Sequence, residues 1–576
     1  MQSFRRIMKM FFILLLWLPG GCASDRPPTG GPVDTTPLQV KFSNPAPSSV
    51  NVSTDRLHLT FNHYISGRQL LNGLLFSPSI GGYDIAVKGK EVDITLFKPL
   101  EKNRTYVITL DKNLRDNQGR TFRAPNTIAF STGPGIDTGV ISGKVVNADF
   151  SPATNALLLA FSEQSNTAAT RNLLTREPDY LIQANASGTF SFNNIGPGSY
   201  RIVAVNNRNN DLRYTYKSEE VGLSNASTVS AGSSSLLFRL EGVQSDTDGL
   251  VSCTPLDKQL LEIKFGRPVN ITSFNPEKLQ IRHAISQTLI PAVSWFSKNR
   301  SLYEREFLIV TGKLQPNEPY IISYIPDEGI GTIRTIPFYA SSRPAGNRPV
   351  SVTIAPENRS NPAYLDLALP SLGKVVLIKL SAPVAEAALS QAITLTERVS
   401  GAESNIHFSL IKIDPRTFAL KPANGFQPGR SYSVSVNAAS FTSATEKPDN
   451  TKPVVSQFRT AEKKETGSIS GTGHAAGKYA VIEAKVSGSP STYSTTALCD
   501  KNGTFRYLFP ELPPGSYTVS AFIPSGSKPT APYQQWNPGS IEPYRPAEAF
   551  GFFAEPVKVR AGWTTEHIDI QIITSR

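Results

Sequence analysis

Gly188-Thr189-Phe190-Ser191-Phe192, followed closely by Ile195-Gly196-Pro197-Gly198-Ser199-Tyr200-Arg201-Ile202, recurs 315 residues later. There it reads Gly503-Thr504-Phe505-Arg506-Tyr507 and then Leu512-Pro513-Pro514-Gly515-Ser516-Tyr517-Thr518-Val519. In both copies a Gly-led turn feeds a strand that alternates aromatic and polar residues, one face toward a core and one toward water. A Pro-Gly turn with positive φ at the Gly then returns a Tyr-led strand. The upstream strands match as well: Gly139-Val140-Ile141-Ser142-Gly143 against Gly467-Ser468-Ile469-Ser470-Gly471. A spaced match of this kind predicts two copies of one β-sandwich unit.

A second repeat occurs three times. An early strand runs into Phe61-Asn62-His63-Tyr64-Ile65, Phe265-Gly266-Arg267-Pro268-Val269 or Leu380-Ser381-Ala382-Pro383-Val384. Further on, an apolar anchor precedes a Tyr by six positions: Leu100 and Tyr106, Leu314 and Tyr320, Phe426 and Tyr432. A strand through Phe130, Phe338 or Phe458 closes each copy. The spacing predicts a turn pinned by the anchor, and a Tyr with its ring in the core and its hydroxyl on a backbone group, as in Greek-key sandwiches. Asp116-Asn117-Gln118-Gly119 reads as a polar hairpin, and a short helix is expected near Ala385–Ile393.

The three-copy pattern resembles the bacterial Ig-like modules of envelope and surface-layer proteins. The two-copy pattern resembles the carboxypeptidase regulatory-like, or prealbumin-like, sandwich, an accessory module that has no catalytic residues of its own. The expected fold is all-β, a tandem and elongated multi-domain chain of Ig-like and prealbumin-like β-sandwiches. The modules fall at 37–133 (Ig-like), 134–240 (regulatory-like), 241–342 (divergent Ig-like), 343–462 (Ig-like) and 463–576 (regulatory-like). Without residues 1–21 the chain has 555 residues, about 111 per module, which fits sandwiches of roughly 100 residues.

The N-terminus speaks to location. Arg5, Arg6 and Lys9 precede the apolar run Met10–Leu18, which is shorter than the roughly 20 residues a spanning helix needs. Residues 1–21 read as an export signal. Gly20-Gly21-Cys22 resembles a bacterial lipoprotein processing box, although Pro19 stands where an aliphatic residue is usual. The resemblance implies lipidation of Cys22, with 22–36 as a flexible tether; several acyl chains anchor stably where one is marginal. Ala23 after the Cys, by the same resemblance to lipoproteins and their sorting, implies the outer membrane, with the periplasmic or surface-exposed face left open. Anchor, tether and module order together resemble the Ig-like-domain lipoproteins of Bacteroidetes, a family that supplies architecture and no established activity.

Charge and motifs add little chemistry. The formal charge is +12, scattered along the chain, and nothing reads as a nucleic-acid stripe. Cys253 and Cys499 fall in different modules and read as free thiols. The six His share no metal-ligand spacing and read as surface or edge-strand residues. Gly471-Thr472-Gly473-His474-Ala475-Ala476 mimics a dinucleotide loop but leads into strand-like sequence instead of a helix. The loop Asn206–Asp211 holds too few carboxylates for calcium. No cofactor, metal site or catalytic residue is expected. Tyr533, Trp536 and Tyr544 are the candidate ligand-contact aromatics: either a sugar-stacking platform or packing across the end of the last sandwich.

The expectation is therefore a non-enzymatic, lipid-anchored envelope scaffold, partnered by the membrane through Cys22 and by an envelope protein or a glycan. The rival readings are a carbohydrate-binding lipoprotein and an enzyme with an unrecognised site. Cys22→Ser is expected to move the protein from the membrane to the soluble fraction and to abolish incorporation of radiolabelled palmitate. Wild-type protein that never takes up the label overturns the anchor.

Overall fold

The computed structural model describes residues 34–574 apart from 112–113, 124–125, 164–172, 174–176, 208–218, 242–248, 271–273, 299–302, 326–334, 345–349, 366–372, 382, 400, 438–451, 490, 525–535 and 542–543. The described chain is all-β, with paired sheets enclosing a separate apolar core in each of five successive modules. Among the described residues no helix is long and apolar enough to cross a membrane.

Each core follows from period-two alternation. In Arg56–Phe61 the residues Leu57, Leu59 and Phe61 point inward, and Ser431–Val436 buries Tyr432, Val434 and Val436 in the same way. The first module stacks a four-stranded sheet on the three strands Leu74–Ser77, Thr105–Leu110 and Asn126–Ser131. The third and fourth modules repeat this plan with two sheets each. The expected helix is present as Glu386–Ala392. A helix at Gly67–Gly73 occupies the equivalent crossover of the first module, and a 3-10 turn, Pro276–Lys278, that of the third.

The predicted Tyr latch is present in all three Ig-like copies. The Tyr106 hydroxyl accepts from the Glu101 N–H at 2.9 Å, Tyr320 from Gln315 at 3.0 Å and Tyr432 from Gln427 at 3.0 Å. In each case the donor lies five residues upstream. Tyr106, Tyr320 and Tyr432 sit directly opposite Phe130, Phe338 and Phe458 in the ladder, with ring centroids 5.7–5.9 Å apart. The second and fifth modules invert the polarity. Tyr200 donates to the Gly196 carbonyl at 2.8 Å and Tyr517 to Pro513 at 2.7 Å. Gly198 has the expected positive φ of 140°. Gly515 does not, so its Pro-Gly turn closes with ordinary backbone, and the left-handed glycines shared by the two copies are Gly188 and Gly503. Asp116 builds the predicted hairpin by accepting from the Gln118 and Arg120 N–H groups.

Neighbouring modules are pinned by specific polar contacts. The Ser77 hydroxyl and the Leu181 backbone exchange two 3.0 Å bonds between the first and second modules, and Arg104 reaches Asp179. The Arg416 guanidinium of the fourth module donates to the Ser297 carbonyl of the third and stacks 4.2 Å from the Phe296 ring. Lys374 pairs with Glu511 at 2.5 Å between the fourth and fifth modules. The tandem reading holds, but a simple linear row needs correction. The second and fifth modules, far apart in sequence, share one apolar cluster. Contacts thus join third to fourth, fourth to fifth, and fifth to second modules.

Trp295 packs against Phe274 within the third-module core and so reports on that module. Tyr320→Phe leaves the Gln315 N–H without its acceptor and is expected to lower third-module stability by about 1 kcal/mol. The measurement is urea unfolding followed by Trp295 fluorescence; an unchanged midpoint means the latch is dispensable.

Candidate functional site

The site begins with a strand whose sequence breaks the alternation rule. Leu157–Ser162 reads Leu-Leu-Leu-Ala-Phe-Ser and is buried at its first five positions. Leu158 and Ala160 enter the second-module core, while Leu157, Leu159 and Phe161 point out of the opposite face. A strand buried on both faces needs a second layer. Val203 and Val205 of the adjacent strand Ser199–Val205 extend the outward face, with Val221 and Leu223 beside them.

The fifth module supplies the second layer through equivalent strands. Tyr479 and Val481 of Tyr479–Val486, Phe522 of Gly515–Phe522, and Phe550 of Phe550–Phe552 meet the second-module face. Trp536, Ile541 and Ala547, from the segment before Phe550, complete the layer. This intramolecular clasp is also specific. Arg239 of the second module lies between two rings, 4.6 Å from Phe150 and 4.9 Å from Trp536 of the fifth. Phe150 stacks on Phe552 at 4.9 Å and Arg201 covers Tyr544 at 5.0 Å. Asn225 donates to the Ile573 carbonyl at 2.6 Å, and the Ala547 N–H to the Ser224 carbonyl at 2.9 Å.

Trp536 is 8% exposed and its indole N–H donates to the Glu548 carbonyl at 2.8 Å. Tyr544 is half-buried, and burial pushes its phenol up to about 12. These two rings therefore serve inter-module packing, and an exposed stacking platform does not describe them. Tyr533 and Cys22 lie outside the described residues. The packing alternative considers only the end of the last sandwich. What it misses is the partner, and the available signals are the unbroken apolar runs Leu157–Phe161 and Ile202–Val205.

At the rim of the clasp a cleft of about 640 Å³ opens between the modules. Ser142, Lys144 and Thr189 of the second module face Phe552, Asp569 and Gln571 of the fifth across it. Its size falls in the range of small-molecule sites. Asp569 is already committed: it accepts from the Thr472 N–H and hydroxyl, which hold its carboxyl below the usual range.

The other flagged residues resolve individually. Cys253 and Cys499 are free thiols, and burial pushes Cys253 up to about 12. His63 is buried, contrary to expectation, with Nε2 at 3.1 Å from the Thr36 carbonyl. His58 lies between Asp93 (Nδ1, 2.8 Å) and the Thr60 hydroxyl (Nε2, 3.2 Å), an acid–base–hydroxyl row. The row lies on strand Arg56–Phe61, an interior strand paired on both sides. Gly471 and Gly473 lie in strand Gly467–His474, where an added Cβ would strike the Ile568 and Ile570 carbonyls; close packing, not nucleotide binding, requires glycine there. Residues 208–211 of the suspected calcium loop lie outside the described residues, and Glu220 accepts from Asn206 at 2.7 Å. Among the described residues no group of three His, Cys, Asp or Glu is placed to hold a metal ion.

A family model described as the bacterial Ig-like domain matches residues 34–132, the first module. No curated protein matches the chain. Among solved structures, domains 1–6 of the bacterial surface-layer protein SbsC align at 10% identity over 86% of this chain and 66% of that one, with a TM-score of 0.15. The major pilin subunit BcpA of Bacillus cereus aligns at 11% identity over 76% and 100%, TM-score 0.13. Native α2-macroglobulin of E. coli aligns at 10% over 94% and 34%, TM-score 0.13. The chain spans 44% to 66% of the length of the three SbsC structures it matches.

Trp536→Ala removes the largest side chain of the clasp and one face of the Arg239 sandwich. The expected cost is about 3–5 kcal/mol, visible as an increased radius of gyration in small-angle scattering. The Trp295-reported transition of the third module should stay in place; a shift there would indicate global damage instead.

Proposed function

We propose that this chain is a lipid-anchored, non-enzymatic scaffold of the bacterial envelope, held at the outer membrane through Cys22 and acting by presentation of its surfaces to a partner. The clasp carries the reading. Two modules commit a whole sheet face to each other, which sets the geometry of a frame and creates no reacting centre. The third and fourth modules bridge the clasped pair and offer their loops and strand edges outward. Ile285 and Tyr339 of the third module, at 77% and 71% exposure, are examples of apolar side chains available there. The Ig-like family match of the first module, beside the tether, is consistent with a spacer placed next to the membrane.

The test is chemical cross-linking of intact cells followed by affinity recovery of the chain and peptide mapping. The expected result is a discrete envelope protein attached through the third or fourth module. Recovery of the chain alone, or retardation of the purified chain in polysaccharide gels, would replace the scaffold reading with the carbohydrate-binding one.

A further inference from the structure

The chain enters the first module at one end and leaves it at the other. In strand Thr105–Leu110, Thr105 marks the exit: its hydroxyl accepts from the Asp137 N–H of the second module at 2.8 Å. Leu110 marks the far end, where the next N–H, that of Asp111, donates to the Gly73 carbonyl at 2.8 Å. Asp34 belongs to the far end. It pairs with Arg120 at 2.9 Å and stands 3.8 Å from His63. Backbone bonds join the loops there into one surface. The Asn117 N–H donates to the Tyr64 carbonyl at 3.0 Å, Ile65 to Gly89 at 3.3 Å and Leu114 to Asp111 at 3.0 Å. The helix Gly67–Gly73 crosses the same end, from Val87 beside Gly67 to Leu114 beside Gly73.

This surface mixes apolar and basic side chains. Tyr64 and Leu71 are 61% and 59% exposed. Arg68, three positions before Leu71 on the helix, shares its face. Lys90 lies over the Tyr64 ring at 5.6 Å. Lys88, opposite Glu91 across the hairpin turn, and Arg115, opposite Thr121, are also exposed. None of these four cations is in ion-pair contact with a carboxylate among the described residues. The acids at this end are fewer. Asp34 and Asp116 share Arg120 between them, and Glu91 is exposed.

We infer that this end of the first module docks on the bilayer that holds the anchor, with Tyr64 and Leu71 among the headgroups and Arg68, Lys88, Lys90 and Arg115 on lipid phosphates. The inference rests on the proposed anchorage through Cys22. Twelve residues lead from Cys22 to Asp34, so the anchor keeps this end within about 40 Å of the membrane. A link that short gives a local concentration on the order of millimolar. Each basic side chain near an anionic surface strengthens association about fivefold, so four together give a roughly millimolar affinity. A free chain would leave such a contact empty; a tethered one fills it. Retention is the task of the acyl chains. The contact adds orientation, because the exit to the second module then points away from the bilayer.

The test reconstitutes the full lipidated chain into vesicles of neutral phosphatidylcholine, or of a mixture rich in phosphatidylglycerol. After flotation, lysines are acetylated briefly and mapped by mass spectrometry. Lys88 and Lys90 are expected to react roughly twofold to fivefold more slowly on the anionic vesicles. High salt should erase that difference. Lys501 and Lys558, exposed on the fifth module, should react alike on both. Arg68→Glu combined with Arg115→Glu should restore the Lys88 and Lys90 rates on anionic vesicles and leave the circular-dichroism spectrum unchanged. A chain that floats with neither vesicle removes the anchor, and the inference falls with it. A chain that floats with both, with equal Lys88 and Lys90 rates on the two, overturns the docking surface and leaves the anchor standing.

Discussion

A sheet with apolar side chains on both faces cannot remain half in water. Each square ångström of apolar surface left exposed costs about 25 cal/mol, and the outward face of the second module presents Leu157, Leu159, Phe161, Val203 and Val205 together. The cover is a matching face from the same kind of module. Leu157–Ser162 and Tyr479–Val486 are neighbours of the Tyr-led strands Ser199–Val205 and Gly515–Phe522 in equivalent sheets. Two-fold dimers are commonly built this way, from the same patch on each partner; here both patches belong to one chain.

Beneath that long-range contact lies local self-sufficiency. In the first, third and fourth modules a buried Tyr hydroxyl accepts from an N–H five residues back; in the second and fifth it donates to a carbonyl four residues back. Either arrangement satisfies a buried polar group and fixes the turn leading into a central strand. Most of each module's core comes from its own residues, and the largest apolar surface shared between modules is the outward face of the second and fifth.

That division explains what is legible in the sequence. The Tyr spacing, the opposing Phe and the Gly-led hairpins are local, so the repeated β-sandwich units and their Tyr latches can be read from residues alone. The helix at Gly67–Gly73 is too short to develop a periodic signal, although its counterpart Glu386–Ala392 is signalled by Ala-rich sequence. His63 looks like a surface histidine until the Thr36 carbonyl closes over it. The clasp joins residues roughly 300 or more positions apart and leaves no spacing to count. Its trace is compositional: Trp536 and Tyr544 stand out as aromatics, but whether an aromatic faces solvent or another module is settled by what lies across from it.

The order of the modules also imposes a waiting period. The ribosome completes the second module well before Phe550 and Ile573 exist, and at ordinary elongation speeds of about 5–20 residues per second the gap is on the order of tens of seconds. Throughout that interval a finished sandwich displays a greasy flank to its surroundings.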